Sequence, residues 1–293
     1  MKPAPFVYDA PREAEQALVL LAEYGDDAKI LAGGQSLIPL LNFRLARPAR
    51  LIDVSRIPTL SYVEKSDVSL VIGAATRQAT LERSALTGQG WPILVEALRH
   101  VAHPQIRNLG TVGGSVAHAD PAAELPTVFT TLDARFHLRS ARGARTVRAD
   151  EFFISYFTTV LEPEELLVEI EVPPIPAGTG YAVVEFARRY GDFALGGAAA
   201  LITLDARGMC RRVSLTLLGA ETPWRSPQTE QALVGCLPDE QSVAAAARAA
   251  VQGFEPSGDI HGSAEYRTGL AETMARRALG LAVERAQTAG QPT

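Results

Sequence analysis

Cysteine is almost absent: Cys210 and Cys236 are the two in 293 residues, far apart and in no CxxC spacing. That count rules out an iron–sulfur cluster or a cysteine zinc site on this chain, and favours buried free thiols over a disulfide. Lysine is nearly missing too, with Lys2, Lys29 and Lys65 the three among 28 basic residues. The arginines are scattered and the formal charge is −5, which leaves no basic surface for nucleic acid. No apolar run approaches the roughly 20 residues that span a bilayer. None follows Lys2 in MKPAPFVYDAPREAEQ either, so no signal peptide is expected. His100, His103, His118, His137 and His261 lie in no metal-ligand spacing, since Pro104 interrupts any helix joining His100 to His103. These absences predict a cytoplasmic protein without metal ligands of its own.

What is present is an ordinary globular composition, 47% hydrophobic and 21% charged, long enough for two compact domains. The first part reads as βαβ with a further strand. A strand at Phe6–Tyr8 precedes a helix with Pro11 as first residue and Ala14, Leu18, Leu21 and Ala22 on one face. A strand at Lys29–Leu31, a short helix at Leu37–Phe43 and a strand at Leu51–Val54 follow. Beyond residue 58 short strands give way to helices, the first capped by Thr76 with Glu82 and Arg83 on its solvated side, the second over Trp91–Val101. A long segment rich in glycine, histidine and proline runs from His103 to Pro126, ahead of strands near Ala134–Arg139 and Leu166–Val172.

Pro173-Pro174-Ile175-Pro176 forbids regular pairing and marks the best boundary in the chain. After it, Tyr181–Arg188, Ala194–Leu204 and Arg212–Gly219 predict a three-stranded antiparallel sheet, followed by helices. The last, Ala264 to Ala286, carries Tyr266, Leu270, Met274, Ala278 and Leu281 as an apolar stripe, read as packing. The expected class is α+β, with a domain over residues 1–176 (subdomains 1–57 and 58–176) and a smaller one over 177–293.

Two glycine loops hold the chemistry. Ala32-Gly33-Gly34-Gln35-Ser36 directly follows a strand and opens a helix, and Thr111-Val112-Gly113-Gly114-Ser115 stands about 78 residues later. In each, paired glycines permit positive φ and close approach of a ligand, and a hydroxyl residue stands where backbone N–H groups can converge on an anion. Two such loops suit a ligand with two adjacent phosphates. Neither is GxGxxG or a Walker A sequence, and either alone reads equally well as a tight turn. Arg107 fits a phosphate contact or a surface ion pair. Glu124 fits a bond to ribose hydroxyls or an acid favoured at a helix N-terminus. Spacing alone does not choose.

The segments AGGQSLIPLLNFRLARPARLIDVSRI and HPQIRNLGTVGGSVAHADPAAELP resemble the FAD-binding medium subunits of the carbon monoxide dehydrogenase and xanthine dehydrogenase group of molybdenum hydroxylases. EFARRYGDFA at Glu185–Ala194, YRTGL at Tyr266–Leu270 and RRAL at Arg276–Leu279 extend the match over nearly the whole chain. The resemblance implies a two-subdomain FAD-binding domain of the PCMH type and a C-terminal domain ending in helices. It implies that Ala32, Gly33, Gly34, Gln35 and Ser36, with Thr111, Val112, Gly113, Gly114 and Ser115, surround the FAD pyrophosphate. It places Glu124 near the flavin nucleotide, Leu167 on the adenine side, Phe193 over the isoalloxazine ring and Val101 toward its other face. Several relatives carry Lys where this chain has Glu185, so Glu185 stays outside the expected site.

By the same resemblance a separate large subunit holds molybdopterin and hydroxylates the substrate, and a small subunit carries two 2Fe–2S clusters, the whole pairing as a dimer of heterotrimers. Electrons then reach FAD here and leave to an external acceptor, the redox chemistry belonging to the cofactor. Two other readings stand beside it. A self-contained flavin oxidase of the same superfamily needs its own acid–base set, and none stands out. A nucleotide-binding assembly factor would show no flavin spectrum. His118 and Asp120 lie near the second loop, as contacts to the cofactor or to loop backbone. Asp192 is read as shaping the turn before Phe193, and Trp91 and Trp224 as core or interface residues.

Overall fold

The computed structural model describes residues 2–289. The first unit holds β1 (Val7–Asp9), α1 (Ala14–Tyr24), β2 (Ala28–Leu31), α2 (Leu37–Asn42) and β3 (Arg50–Asp53). β3 lies between β1 and β2, and all three run parallel. Helix α1 starts later than its proline suggested: Glu13 is the N-cap and Pro11 lies outside it. Ala14, Ala17, Leu18 and Leu21 are its buried face. Parallel order sends the carboxyl ends of β2 and β3 to one edge, and the first glycine loop leaves from there.

The second unit is a five-stranded antiparallel sheet backed by helices. In chain order come β4 (Val63–Ser66), β5 (Ser69–Gly73), α3 (Gln78–Arg83), α4 (Ala85–Gly90), α5 (Pro92–His100), α6 (Pro104–Leu109), α7 (Val112–His118) and α8 (Glu124–Thr131). Then follow β6 (Arg135–Ser140), β7 (Gly143–Arg148), α9 (Ala149–Phe152), β8 (Phe153–Ser155), β9 (Thr158–Thr159) and β10 (Leu166–Val172). The large sheet has the order β4-β5-β10-β6-β7, so its middle strand comes last in sequence. Phe129, Phe136 and Phe152 are fully buried beneath it, with the Phe136 and Phe152 rings edge to face at 4.7 Å. The glycine- and proline-rich stretch from His103 is helical for most of its length. Pro104, expected to stop a helix, begins one instead, a place where its missing N–H costs nothing.

The C-terminal unit comprises β11 (Thr179–Ala187), β12 (Ala194–Leu204), β13 (Cys210–Leu218), β14 (Trp224–Arg225), α10 (Pro227–Leu233), α11 (Glu240–Ala250) and α12 (Ala264–Ala289). The three expected strands form an antiparallel sheet, to which the two-residue β14 adds a fourth at the edge. The buried face of α12 is rotated from the expected stripe. Ala271, Met274, Ala275, Ala278, Leu279 and Ala282 turn inward, while Tyr266 and Leu281 are exposed. Alanine wins because the helix lies directly on strand backbone: a Cβ at Gly180 would stand 1.9 Å from the Ala282 carbonyl oxygen. Trp224 is a packing residue, donating from Nε1 to Ala250 O at 3.0 Å beside Phe254. Trp91 likewise donates to Pro173 O at 2.7 Å, across the proline boundary. Of the two thiols expected to be buried, Cys210 is, its pKa pushed up to about 11 by desolvation, but Cys236 is exposed.

Two substitutions test this packing. Gly180→Ala should lift α12 off β11 and cost roughly 1–3 kcal/mol, the usual range for overpacking. Gly269→Ala, on a part of α12 where a Cβ meets nothing within 4 Å, should stabilise by up to about 1 kcal/mol. Thermal unfolding of both variants reads the opposite signs, and a neutral Gly180→Ala would contradict the contact.

Candidate functional site

The two glycine loops meet, and Gly33 is the point of contact. A Cβ there would stand 2.6 Å from Leu109 O, 2.7 Å from Gly110 Cα and 3.0 Å from Thr111 N. The methyl of Ala32 faces Gly114 in the same seam, 3.4 Å from where a Cβ at Gly114 would sit. Residues placed far apart in sequence thus form one surface at the junction of the first and second units.

The loops do not share one logic, as their sequences suggested. Gly34 has φ +74°, which turns the chain so that successive N–H groups gather on one side. Among the described residues, nothing accepts a hydrogen bond from the backbone N–H of Gly33, Gly34, Gln35 or Ser36. Gln35 bends back to donate from Nε2 to Gly33 O at 3.0 Å, fixing the turn. Four free donors in a row form a cradle for an anion, which fits the pyrophosphate of FAD.

The second loop has spent its donors. Val112 N gives its proton to Thr76 O at 2.9 Å, Gly113 N to Ala74 O at 2.8 Å, and Gly114 N to Thr111 Oγ1 at 3.1 Å. Thr111 is thus the N-cap of α7. A Cβ at Gly113 would stand 2.5 Å from the Ala74 Cβ, so this glycine exists for packing onto the end of β5. The expectation that its N–H groups converge on an anion is corrected: they hold α7 in place behind the first loop. Thr76 is reassigned as well. It does not cap α3 but exchanges two bonds with the Tyr62 backbone, donating to O at 2.8 Å and accepting from N at 3.0 Å.

Arg107 contacts neither a phosphate nor solvent. It is 6% exposed and its guanidinium is filled: Nε and Nη2 grip Glu82 at 2.9 and 3.2 Å, and Nη1 donates to Val101 O at 2.9 Å. Glu82 accordingly faces inward, not to water. The pair braces the turn at Val101 and Ala102, where Ala102 takes φ +40°. From the other side the turn at 188–193 leans on the same segment. Tyr190 donates from its hydroxyl to Arg99 O at 2.9 Å, and the His103 ring fills the space a Cβ at Gly191 would need. Asp192 N closes this turn on Arg189 O at 3.1 Å, leaving Phe193 77% exposed at its end.

The remaining expected residues differ in how they reach the site. Leu167 is 4% exposed, its side chain belongs to the core and its backbone pairs with Leu138 of β6. Glu124 opens α8 without capping it, and burial raises its pKa to about 8, with the Glu185 charge adding to the effect. Glu185 is 9% exposed in its side chain; one oxygen lies 3.3 Å from His100 Nδ1 and Oε2 has no partner. That contact raises the His100 pKa against the opposing effect of burial. His118, by contrast, is pushed down by burial, packs on Phe157 and stands 4.0 Å from Asp120. Asp120 accepts from Ala122 N at 2.9 Å, a loop contact. Sequence reading missed the role of His100 and the inward face of Glu185, because a buried ion pair across two domains leaves no spacing signal.

Two family models cover the chain: an FAD binding domain in molybdopterin dehydrogenase matches residues 4–175, and a CO dehydrogenase flavoprotein C-terminal domain matches 181–282. The alpha subunit of the 6-hydroxypseudooxynicotine dehydrogenase complex of Paenarthrobacter nicotinovorans is 49% identical, over 98% of this chain and 97% of its own. The carbon monoxide dehydrogenase medium chain of Hydrogenophaga pseudoflava is 39% identical, over 96% and 98%. A solved structure of carbon monoxide dehydrogenase from that organism superposes with a TM-score of 0.95 at 40% identity, covering 97% of this chain and 99% of the other. With both halves matched in order and the donor cradle in place, the chain belongs to the family of FAD-binding flavoprotein subunits of molybdopterin dehydrogenases.

Proposed function

We propose that this chain takes electrons from a 2Fe–2S subunit onto FAD and passes them to an external acceptor, while a separate molybdopterin subunit oxidises the substrate. The observation that carries the cofactor assignment is the row of four free N–H groups at Gly33–Ser36. The division of labour is supported by the relatives, which include named subunits of a dehydrogenase complex and of a hydroxylase. The described residues include no group of three or more His, Cys, Asp or Glu able to hold a metal ion. No helix among them is long and apolar enough to cross a membrane. In this reading the three subunits form a cytoplasmic heterotrimer that pairs into a dimer of heterotrimers.

FAD, when bound, supplies the junction between one-electron and two-electron carriers. The residues of this chain bind and orient it. The cradle at 33–36 would hold the pyrophosphate with backbone dipoles, and the hydroxyls of Ser36 and Ser115 would add polar contacts. Thr111, Val112, Gly113 and Gly114 act by packing, which sets the cradle's orientation. Glu124, protonated below about pH 8, could donate as well as accept toward the nucleotide, and Leu167 would stand on the adenine side. Val101 and Phe193 would face the flavin ring, Val101 from the braced segment between Arg99 and His103 and Phe193 from the turn that leans on it. The domain division falls at 176/177, so the ring site lies where the two domains meet.

Gly34→Asp tests the cradle. A carboxylate about 4 Å from the phosphates costs roughly 4 kcal/mol at an effective dielectric of about 20, or about a thousandfold in Kd. The variant should fold and lack flavin, and retention of stoichiometric FAD would overturn the loop assignment.

Phe193→Ala should leave the fold intact, because the side chain is exposed. Loss of stacking worth about 0.5–1.5 kcal/mol should weaken FAD by roughly two- to tenfold and change its fluorescence and reduction potential. Identical flavin spectra and potential would place Phe193 away from the ring.

The isolated chain loaded with FAD should accept electrons from artificial donors yet turn over no substrate of the complete complex. Co-expression with the molybdopterin and iron–sulfur subunits should restore turnover. Substrate oxidation by this chain alone would instead support a self-contained oxidase.

A further inference from the structure

Behind the two residues proposed to face the flavin ring lies an acid pair with a single cation. His100 ends α5 immediately before Val101, Glu185 stands on β11 just before the turn that carries Phe193, and Glu124 opens α8. Helix α5 packs on both α8 and β11, so the three groups stand on elements that meet, and the Glu185 charge acts on Glu124. Glu185 is nine-tenths buried in its side chain; His100 satisfies one oxygen and the other has no partner among the described residues. The carboxyl of Glu124 is bonded by its own backbone N–H, and it is desolvated although part of the residue reaches solvent.

The surrounding charges are already committed. Glu96, one turn earlier on α5, accepts from Val183 N at 2.9 Å and pairs with Arg285 of α12 at 2.7 Å. Asp120, in the loop before α8, holds Ala122 N and faces His118. Two carboxylates and one imidazolium would thus leave a net negative charge in a desolvated seam, which burial disfavours. One proton on the carboxyl pair removes it.

We propose that Glu124, Glu185 and His100 form a shared proton site whose occupancy is coupled to the number of electrons on the flavin. This rests on the assignment of Glu124 and the neighbouring Val101 to the FAD site. The coupling is electrostatic and needs no bond to the cofactor. Electrons arriving on the flavin add negative charge across the seam, which raises the proton affinity of the array, and the array takes its proton from solvent. By reciprocity, a proton on the array favours electron transfer to the flavin.

The sign and the window follow from Glu124. Below about pH 8 its carboxyl holds the proton whether or not the flavin is reduced, so the array contributes nothing to proton uptake. In the window just above that value the oxidised protein has lost the proton and the reduced protein keeps it. Two-electron reduction should there take up about one proton more than in Glu124→Gln.

The test is a potentiometric titration of the FAD-loaded complex against pH, for wild type, Glu124→Gln and Glu185→Gln. The wild type should show a segment of steeper potential against pH that begins near 8, and both variants should lack it while keeping the breaks the flavin itself contributes. Infrared spectroscopy of the full chain, with or without FAD, supplies a readout that survives a loss of cofactor affinity. The carbonyl band of a protonated carboxyl should be present at neutral pH and absent in Glu124→Gln. Superimposable potential–pH curves in all three proteins, or no protonated-carboxyl band in the wild type, would overturn the proposal and leave the loop assignment standing. Loss of flavin in Gly34→Asp bears on the loop alone.

Discussion

The contact on which the site depends is that of Gly33 with the backbone of Leu109–Thr111, where no side chain intervenes. It brings the open edge of a small parallel sheet against the start of α7, and so fixes where four free N–H groups point. A Cβ at Gly33 would push the two loops apart and the cradle would lose its back wall. The second loop pays for this arrangement with its own donors, which serve Ala74, Thr76 and the Thr111 cap. One loop binds and the other supports. That asymmetry is a consequence of hydrogen-bond satisfaction, since a buried donor left open is expensive and Val112 and Gly113 are buried whereas Gly33–Ser36 reach the surface.

A second constraint ties the domains together. The segment from Arg99 to His103 is held on one side by Arg107 at Val101 O and on the other by Tyr190 at Arg99 O. The Glu82–Arg107 pair is mostly buried, so removing either partner would strand a charge and cost more than the pair contributes. Val101 lies on this segment, and the turn that ends at Phe193 leans on it through Tyr190 and Gly191. The acid pair of Glu124 and Glu185 lies directly behind it. The end of α5 thus carries both His100, which pairs with Glu185, and the braced turn at Val101.

Much of this was legible in the sequence, and the reasons for the rest are physical. Paired glycines after a strand, the proline run at 173–176 and the alternating strands beyond it are local signals, and each marked a real feature of the backbone. Side-chain partners were not legible. Arg107 and Glu82 are 25 residues apart, Glu185 and His100 come from different domains, and the face of α12 was decided by how closely Gly180 lets it approach. Hydrophobicity put Tyr266 and Leu281 in that face, but the space available admits only alanine-sized residues over most of its length. The equivalence of the two glycine loops failed for the same reason, because a donor's partner is a tertiary fact.

The central claim is that the first loop, and not the second, gives its backbone protons to the cofactor. Amide resonances during titration of the flavin-free chain with FAD report this directly. The account predicts large downfield shifts for Gly33, Gly34, Gln35 and Ser36, with Val112, Gly113 and Gly114 showing only the small changes of amides already bonded. Strong downfield shifts at Val112–Gly114 with Gly33–Ser36 unmoved would contradict it.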